Sequence, residues 1–196
     1  MILQAYLEKG KIEAGLDEAG RGSLAGPVVA AAVILPEEFD LPGLRDSKKL
    51  SYRQRNKLRE LIKEQAIAWA VGEASPKEID QINISQATFL AMHRALKKIK
   101  QPAIDHLLVD GLYFKAYKKI PHHCIVKGDS KMAAIASASI LAKTHRDDKM
   151  IKLAKKFTEY GWDHNVGYPT LEHRSAIERF GVTDWHRRSF KMLADK

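Results

Sequence analysis

Four acidic residues stand where apolar runs give out: Asp17 and Glu18 ahead of Ala19-Gly20-Arg21-Gly22, Asp110 ahead of Gly111, and Asp129 after Gly128. Carboxylates gathered at the strand ends of an open sheet repel one another unless cations share the space, and oxygen-only ligands select Mg²⁺ or Mn²⁺. Taken singly, such acids are also ordinary turn or cap residues; the set of four is what points to a metal-assisted site. Asp17 and Glu18 raise a geometric problem, because neighbouring side chains on a regular strand face opposite ways. Both serve one site only if the strand bends at Gly20 or if Glu18 also lends its backbone carbonyl.

The glycines of Gly20-Arg21-Gly22 let backbone groups approach a ligand closely, and Arg21 offers a planar donor to phosphate or to an acid of the site. A plain strand-to-strand turn would use the same glycines. A dinucleotide fingerprint is excluded, since the apolar run that follows reads as strand and not as helix.

The charge balance asks for an acidic partner. Lys and Arg number 33 against 24 Asp and Glu, a formal net charge of +9 in 196 residues. Nucleic acid fits better than a membrane surface, because the bases are spread over several elements and not gathered on one amphipathic terminal helix. The longest apolar run, Pro27 to Pro36, is about half the length that spans a bilayer. No secretory signal pattern is visible at the N-terminus, and one cysteine, Cys124, excludes an intramolecular disulfide and a multi-thiolate zinc site. His122-His123-Cys124 lacks zinc-ligand spacing, and no H-E-x-x-H occurs. A cytoplasmic protein is expected.

The elements that must position the acids are legible from periodicity. Ile12, Ala14 and Leu16 alternate with Glu13 and Gly15, which predicts a half-buried strand, and Val28 to Leu35 predicts a strand covered on both faces and paired with the first. Leu58, Leu61 and Ile62 mark an amphipathic helix behind a Ser51 cap, with Arg53, Arg55, Lys57, Arg59 and Lys63 on its outer face. Ile67 to Gly72 reads as strand. Ser75-Pro76-Lys77-Glu78 opens a helix whose buried face carries Phe89, Met92, Leu96 and Ile99. His106 to Asp110 and His123 to Lys127 read as two short buried strands. A long helix follows from Ser130, small-sided at first and basic over Lys143 to Lys156, and a last helix runs from Thr170 to Phe180-Gly181. Strands alternating with helices, after an early meander, predict an α/β architecture with a mixed central sheet.

Seven segments in order carry a resemblance: Gly15-Leu16-Asp17-Glu18-Ala19-Gly20-Arg21-Gly22, Asp46-Ser47-Lys48-Lys49-Leu50, Val109-Asp110-Gly111, Lys127-Gly128-Asp129, Ala138-Ser139-Ile140-Leu141-Ala142-Lys143, Gly167-Tyr168-Pro169-Thr170 with His173, and Arg187-Arg188-Ser189-Phe190. Together they resemble bacterial ribonuclease HII, the type 2 ribonuclease H family, over nearly the whole chain. The resemblance implies a ribonuclease H-like fold, a mixed sheet flanked by helices, with a C-terminal helical extension over about residues 160–196 of a single catalytic domain. It implies hydrolysis of the RNA strand of RNA/DNA hybrids and incision 5′ of ribonucleotides embedded in duplex DNA. Asp17, Glu18, Asp110 and Asp129 are then the catalytic and metal-binding acids for two divalent ions, Mn²⁺ or Mg²⁺, and the products carry a 3′-hydroxyl and a 5′-phosphate.

The substrate residues implied are Gly20, Arg21 and Gly22, which meet the 2′-hydroxyl, and Tyr168, which reads the sugar at the RNA-to-DNA junction. Lys48 and Lys49 offer phosphate contacts, with Arg53, Arg55 and Lys57 behind them. The basic half of the long helix and the pair Arg187-Arg188 are further candidate rails, although the pair could instead brace the C-terminus. His173 would orient phosphate or water, or else be a helix-surface histidine; Asp147 would hold Arg146. Two competing readings are a ribonuclease H-fold DNA nuclease of integrase type and a non-catalytic nucleic-acid-binding module. Acids inside a basic surface disfavour the module, because they repel phosphate when no metal is present. Only six residues follow Phe190, so no clamp-binding tail is expected, and a monomer is the default.

Overall fold

The computed structural model describes residues 3–193. A five-stranded sheet has the order β3-β2-β1-β4-β5, made from β1 (Glu13–Ala19), β2 (Val28–Ile34), β3 (Ala68–Ala74), β4 (His106–Asp110) and β5 (His122–Ile125). It is mixed: β1 pairs antiparallel with β2 and β2 with β3, whereas β4 runs parallel to β1 and β5 parallel to β4. The parallel half needs crossovers, and α2 (Pro76–Lys98) supplies the one into β4. The other helices are α1 (Tyr52–Gln65), α3 (Ala133–Ala154) and α4 (Leu171–Phe180).

The alternation of β1 sorts the core into two layers. Ala14 and Leu16 join Val28, Ala30, Met92 and Leu96 beneath α2. Ala19 joins Val29, Ala31, Leu58, Ile62 and Leu141 beneath α1 and α3. All seven residues of β2 are buried, as its unbroken apolar run requires. Each large aliphatic side chain so covered contributes roughly 1.5–3 kcal/mol. The small residues of α3 let it lie directly on the sheet: a Cβ on Gly15 would stand 2.2 Å from the backbone carbon of Ala134.

The predicted capping box at Ser75 forms, and the predicted Ser51 cap forms as a full capping box too. Ser51 accepts from the Gln54 N–H and Ser75 from the Glu78 N–H, with Gln54 and Glu78 accepting in return. Four expectations need correction. β1 is buried on both faces and not half-buried, because α3 covers its Gly15 side as α2 covers its Leu16 side. β3 is shifted two residues toward the C-terminus at its far end, closing at Ala74. β5 is an exposed-edge strand and not a buried one, with His123 and Cys124 open to solvent, because no sixth strand follows it. α3 starts at Ala133, since Gly128–Ser130 winds as a separate 3-10 turn. Among the described residues no helix is long and apolar enough to cross a membrane.

A third apolar cluster joins the turn after β1 to the C-terminal part: Leu24 and Ala25 pack with Met150, Tyr160, Trp162 and Ile177. It brings the segment around Tyr168 alongside Gly20–Gly22.

Candidate active site

Asp17, two residues before the end of β1, and Asp110, the last residue of β4, are neighbours on two adjacent parallel strands. The last registered pair between them is Leu16 with Val109, so the two acids are the next residues out. β1 stays regular through Ala19, and the chain turns only at Gly20, whose φ of 90° suits glycine. Asp17 therefore faces α3 and Glu18 faces α2, as adjacent strand residues must. They nevertheless border one acidic cleft together with Asp110, because all three lie where the sheet ends.

Asp129 arrives from the other side of β4. The Gly128 N–H donates to Asp110 Oδ1 at 2.6 Å, which ties the 3-10 turn carrying Asp129 to the end of β4. A short 3-10 turn over Ser47–Lys49 covers the cleft, capped by Asp46, whose Oδ1 accepts from the Lys48 N–H at 2.9 Å. Lys48 Nζ reaches to 3.9 Å from Asp129 Oδ2. Ser139 Oγ stands 3.0 Å from Ser47 Oγ, and the Ser139 hydroxyl favours the ionised form of the Asp17 carboxyl.

Crowding is visible in the acid–base chemistry. Burial holds the Asp17 carboxyl well above the usual carboxylate range, and the charges of Glu18 and Asp110 push it further the same way. Burial also raises Glu18, with Arg21 opposing and Asp110 adding, and it raises Asp129, with Asp110 and Asp46 adding. Lys48 loses some charge stability to burial, but Asp129, Asp46, Asp17 and Asp110 outweigh this and raise its pKa. Among the described residues no three His, Cys, Asp or Glu side chains form a ready-made cage for an ion. The acids are instead held by their own partners: Glu18 lies 3.5 Å from Arg21 Nη1, and Asp17 Oδ1 accepts from the Glu18 N–H at 2.6 Å. An all-oxygen donor set, with carboxylates destabilised by one another's charge, fits a hard divalent cation that would relieve that repulsion.

Gly20, Arg21, Gly22 and Tyr168 border the same cleft together with Lys48 and Lys143, and the Lys143 Nζ lies 5.6 Å from the Tyr168 ring centroid. Two buried arginines fasten these parts together. Arg146 donates from Nε to the Pro27 carbonyl at 3.1 Å, from Nη2 to Ala25 at 2.9 Å and from Nη1 to Val166 at 2.8 Å. Its guanidinium lies 5.6 Å from the Tyr168 ring centroid, and a Cβ on Gly20 would sit 2.0 Å from its Nε. Arg187 donates to the carbonyls of Gly26 and Arg21.

Other expected site residues lie elsewhere. His173 is fully buried and touches neither the cleft nor solvent. Its Nε2 accepts from Trp162 Nε1 at 2.9 Å and its ring meets the Tyr168 carbonyl at 2.9 Å through Nδ1, so it supports the Tyr168 segment from inside. Lys49 is exposed beside Lys48 but does not border the cleft. Arg55 is no outward rail: its Nη1 donates to the Ser47 and Leu50 carbonyls and braces the turn that carries Lys48. In the basic half of α3, Arg146 points inward, Lys143 pairs with Asp147 at 2.9 Å, and Lys149 pairs with Glu73. Asp147 thus holds Lys143, not Arg146. Arg187 is buried while Arg188 is exposed, so the pair is not one surface rail. Ser47 and Ser139 lie at the cleft although sequence reasoning gave them no role, and of the candidate rail along α3 Lys143 borders the cleft; all three fall within the segments that carry the resemblance.

The family model for ribonuclease HII matches residues 14–193. The ribonuclease HII of Parabacteroides distasonis is 56% identical over 195 residues, covering 100% of this chain and 98% of the relative. The crystal structure of ribonuclease H2 from Pyrococcus horikoshii superposes with a TM-score of 0.77 at 25% identity, covering 92% of this chain and 94% of that one. The structure of Bst-RNase HIII in complex with Mn²⁺ gives a TM-score of 0.71 at 19% identity, over 93% of this chain and 68% of that one. The mixed sheet and its helices are the ribonuclease H-like fold of these structures.

Proposed function

The chain belongs to the ribonuclease HII family and is a hydrolytic nuclease; from that premise we propose that it cuts the RNA strand of RNA/DNA hybrids and incises duplex DNA 5′ of embedded ribonucleotides. One observation carries the reading. A single cleft gathers Asp17, Glu18 and Asp110 with the Gly20–Gly22 loop, Lys48, Lys143 and Tyr168, which combines a cation site, a close backbone approach for a 2′-hydroxyl, and bases for phosphate.

Asp17, Glu18, Asp110 and Asp129 would hold two divalent ions, Mg²⁺ or Mn²⁺, and the Mn²⁺ bound by the Bst-RNase HIII structure is in keeping with this. Held there, such ions would supply water activation for in-line attack and charge stabilisation at the leaving 3′ oxygen, the chemistry of products with a 3′-hydroxyl and a 5′-phosphate. The chain's own groups position the rest. Ser139, held by Ser47, orients the Asp17 carboxylate. Lys48 and Lys143 present ammonium groups to the strand that crosses the acids. The Gly20–Gly22 backbone can both donate to and accept from a 2′-hydroxyl, which a deoxyribose lacks, while the Tyr168 ring packs on the neighbouring sugar.

On this reading the chain is one catalytic domain, with its part beyond about residue 160 serving to seat Tyr168. It works as a monomer on nucleic acid in the cytoplasm, in DNA replication and repair. The decisive assay offers a DNA duplex bearing one ribonucleotide and its all-DNA twin, with Mg²⁺ or Mn²⁺ and with chelator. Cleavage of the first alone, 5′ of the ribonucleotide and only with metal, is expected. Equal cutting of both would assign the fold to a DNA nuclease, and cutting of neither would leave a binding module.

A further inference from the structure

One of the chain's own cations reaches into the acids. Lys48 Nζ stands 3.9 Å from Asp129 Oδ2, and Lys48 also borders the cleft lined by Asp17, Glu18 and Asp110. The two partners differ in freedom. Asp129 is buried, on a 3-10 turn that the Gly128 N–H ties to Asp110 at the end of β4. The Lys48 side chain is 83% exposed and carries its charge on a flexible stem, so the ammonium can leave Asp129 without disturbing the fold. Its backbone is fixed. Asp46 accepts from the Lys48 N–H, Arg55 Nη1 donates to the carbonyls of Ser47 and Leu50, and the buried Ser47 hydroxyl meets Ser139 of α3 at 3.0 Å. A fixed root with a mobile charged head suits a group that passes between two partners within one reach.

We infer that Lys48 and the divalent ion compete for the Asp129 carboxylate, and that the ammonium, when it yields there, passes to a phosphate of the strand. The inference rests on the function proposed above, in which Asp129 is a metal ligand and Lys48 a phosphate contact. A cation ligated by Asp129 and an ammonium on the same carboxylate would be like charges at close range, and these repel. Phosphate offers the displaced ammonium an anion on the open side of the cleft. The exchange couples the two ligands: whatever draws the ammonium from Asp129 favours the divalent ion, and by reciprocity the ion frees Lys48 for phosphate. Metal and strand then load together through the movement of one side chain.

The test measures Mn²⁺ binding to the full chain by the loss of the free-ion paramagnetic resonance signal, first without nucleic acid and so apart from cleavage. Lys48→Gln should bind Mn²⁺ about threefold more tightly than the wild type, the scale on which an exposed ion pair is given up. Lys48→Arg keeps the charge and the reach and should match the wild type. Lys49→Gln removes an exposed charge that does not border the cleft and should match it too. An affinity in Lys48→Gln no tighter than wild type overturns the competition, and so does an equal gain in Lys49→Gln, which would reduce it to the general field of the surface. With an all-DNA duplex added, Mn²⁺ binding should tighten about threefold more in the wild type than in Lys48→Gln. Equal tightening breaks the passage to phosphate. Loss of ribonucleotide preference in the cleavage assay would remove the proposed function and leave the Mn²⁺ affinities measured without nucleic acid as they stand, so the two failures are distinct.

Discussion

The Nη1 of Arg187 donates to the backbone carbonyl of Arg21 at 2.9 Å, joining residues 166 positions apart. The same guanidinium donates from Nε to Gly26 at 3.0 Å, and it is fully buried. Burial, followed by the charge of Arg146, pushes the Arg187 pKa down to about 9. Both buried arginines hydrogen-bond to backbone carbonyls and to no carboxylate, so the carbonyls of Arg21, Ala25, Gly26, Pro27 and Val166 supply the negative ends of the dipoles that make their burial tolerable. The shape of the loop next to the acids is thus set from near the far end of the chain.

Arg187→Lys should therefore do more than trim a side chain. A lysine reaches one of the two carbonyls and cannot fork between them. A stability loss of roughly 1–3 kcal/mol is expected, with a fall of at least about tenfold in kcat/KM on a single-ribonucleotide duplex. Thermal melting and single-turnover cleavage check the pair; wild-type values in both would remove Arg187 as the support of the loop.

Asp110→Asn removes one charge from the crowded acids while keeping the oxygen that accepts from the Gly128 N–H. Cleavage should fall by about a thousandfold or more, and binding to a hybrid should hold or tighten as repulsion of phosphate is relieved. A filter or anisotropy titration beside an activity assay decides it. Undiminished cleavage would take Asp110 out of the site.

Replacing Lys48 and Lys49 together by alanine should weaken hybrid binding and flatten its salt dependence. For each phosphate left without its ammonium, the slope of log K against log salt falls by about 0.7–0.9. Because only Lys48 borders the cleft, a change of about one unit is expected, not two. An unaltered slope would make both lysines solvated surface.

The His173–His186 pair makes the C-terminal part acid-sensitive. His186 Nδ1 accepts from the Thr183 N–H at 2.9 Å, so its proton sits on Nε2, 3.2 Å from His173 Nε2, which already accepts from Trp162. Both rings are neutral in this arrangement. Burial, with the His173 charge adding, pushes His186 down to about 4. Between the ordinary histidine value near 6.5 and about 4 the unfolded chain binds the proton and the folded chain does not, so stability is lost as pH falls through that window. The loss should reach about 2 kcal/mol by pH 5, or about 4–8 °C in Tm. Melting at pH 7 and pH 5 should show a smaller difference in His186→Gln than in the wild type; equal differences would refute the assignment.

Periodicity carried much of the fold into view. The alternation before Asp17 and the unbroken run from Val28 gave the central pair of strands, and Ser51 and Ser75 gave two helix starts, because strand parity and capping are decided by residues a few positions apart. The edge position of β5 was not legible, since HCIVK reads alike at the margin and in the middle of a sheet. Nor was the burial of Arg146, Arg187 and His173. A basic residue in sequence reads as surface, and only knowledge of which carbonyls surround it reverses that.

The sequence alone determined the chemistry available: four acids beside glycines, an excess of bases, a tyrosine ahead of a helix, and the strand and helix periods that carry them. Tertiary structure decided which of these meet. It brought Asp17 and Glu18, which face opposite sides of β1, to one sheet end beside Asp110, and it turned two arginines inward to hold the glycine loop against Tyr168. The reason is physical: residue type and local period are fixed by neighbours in the chain, whereas the burial of a charge depends on dipoles delivered by segments more than a hundred residues away.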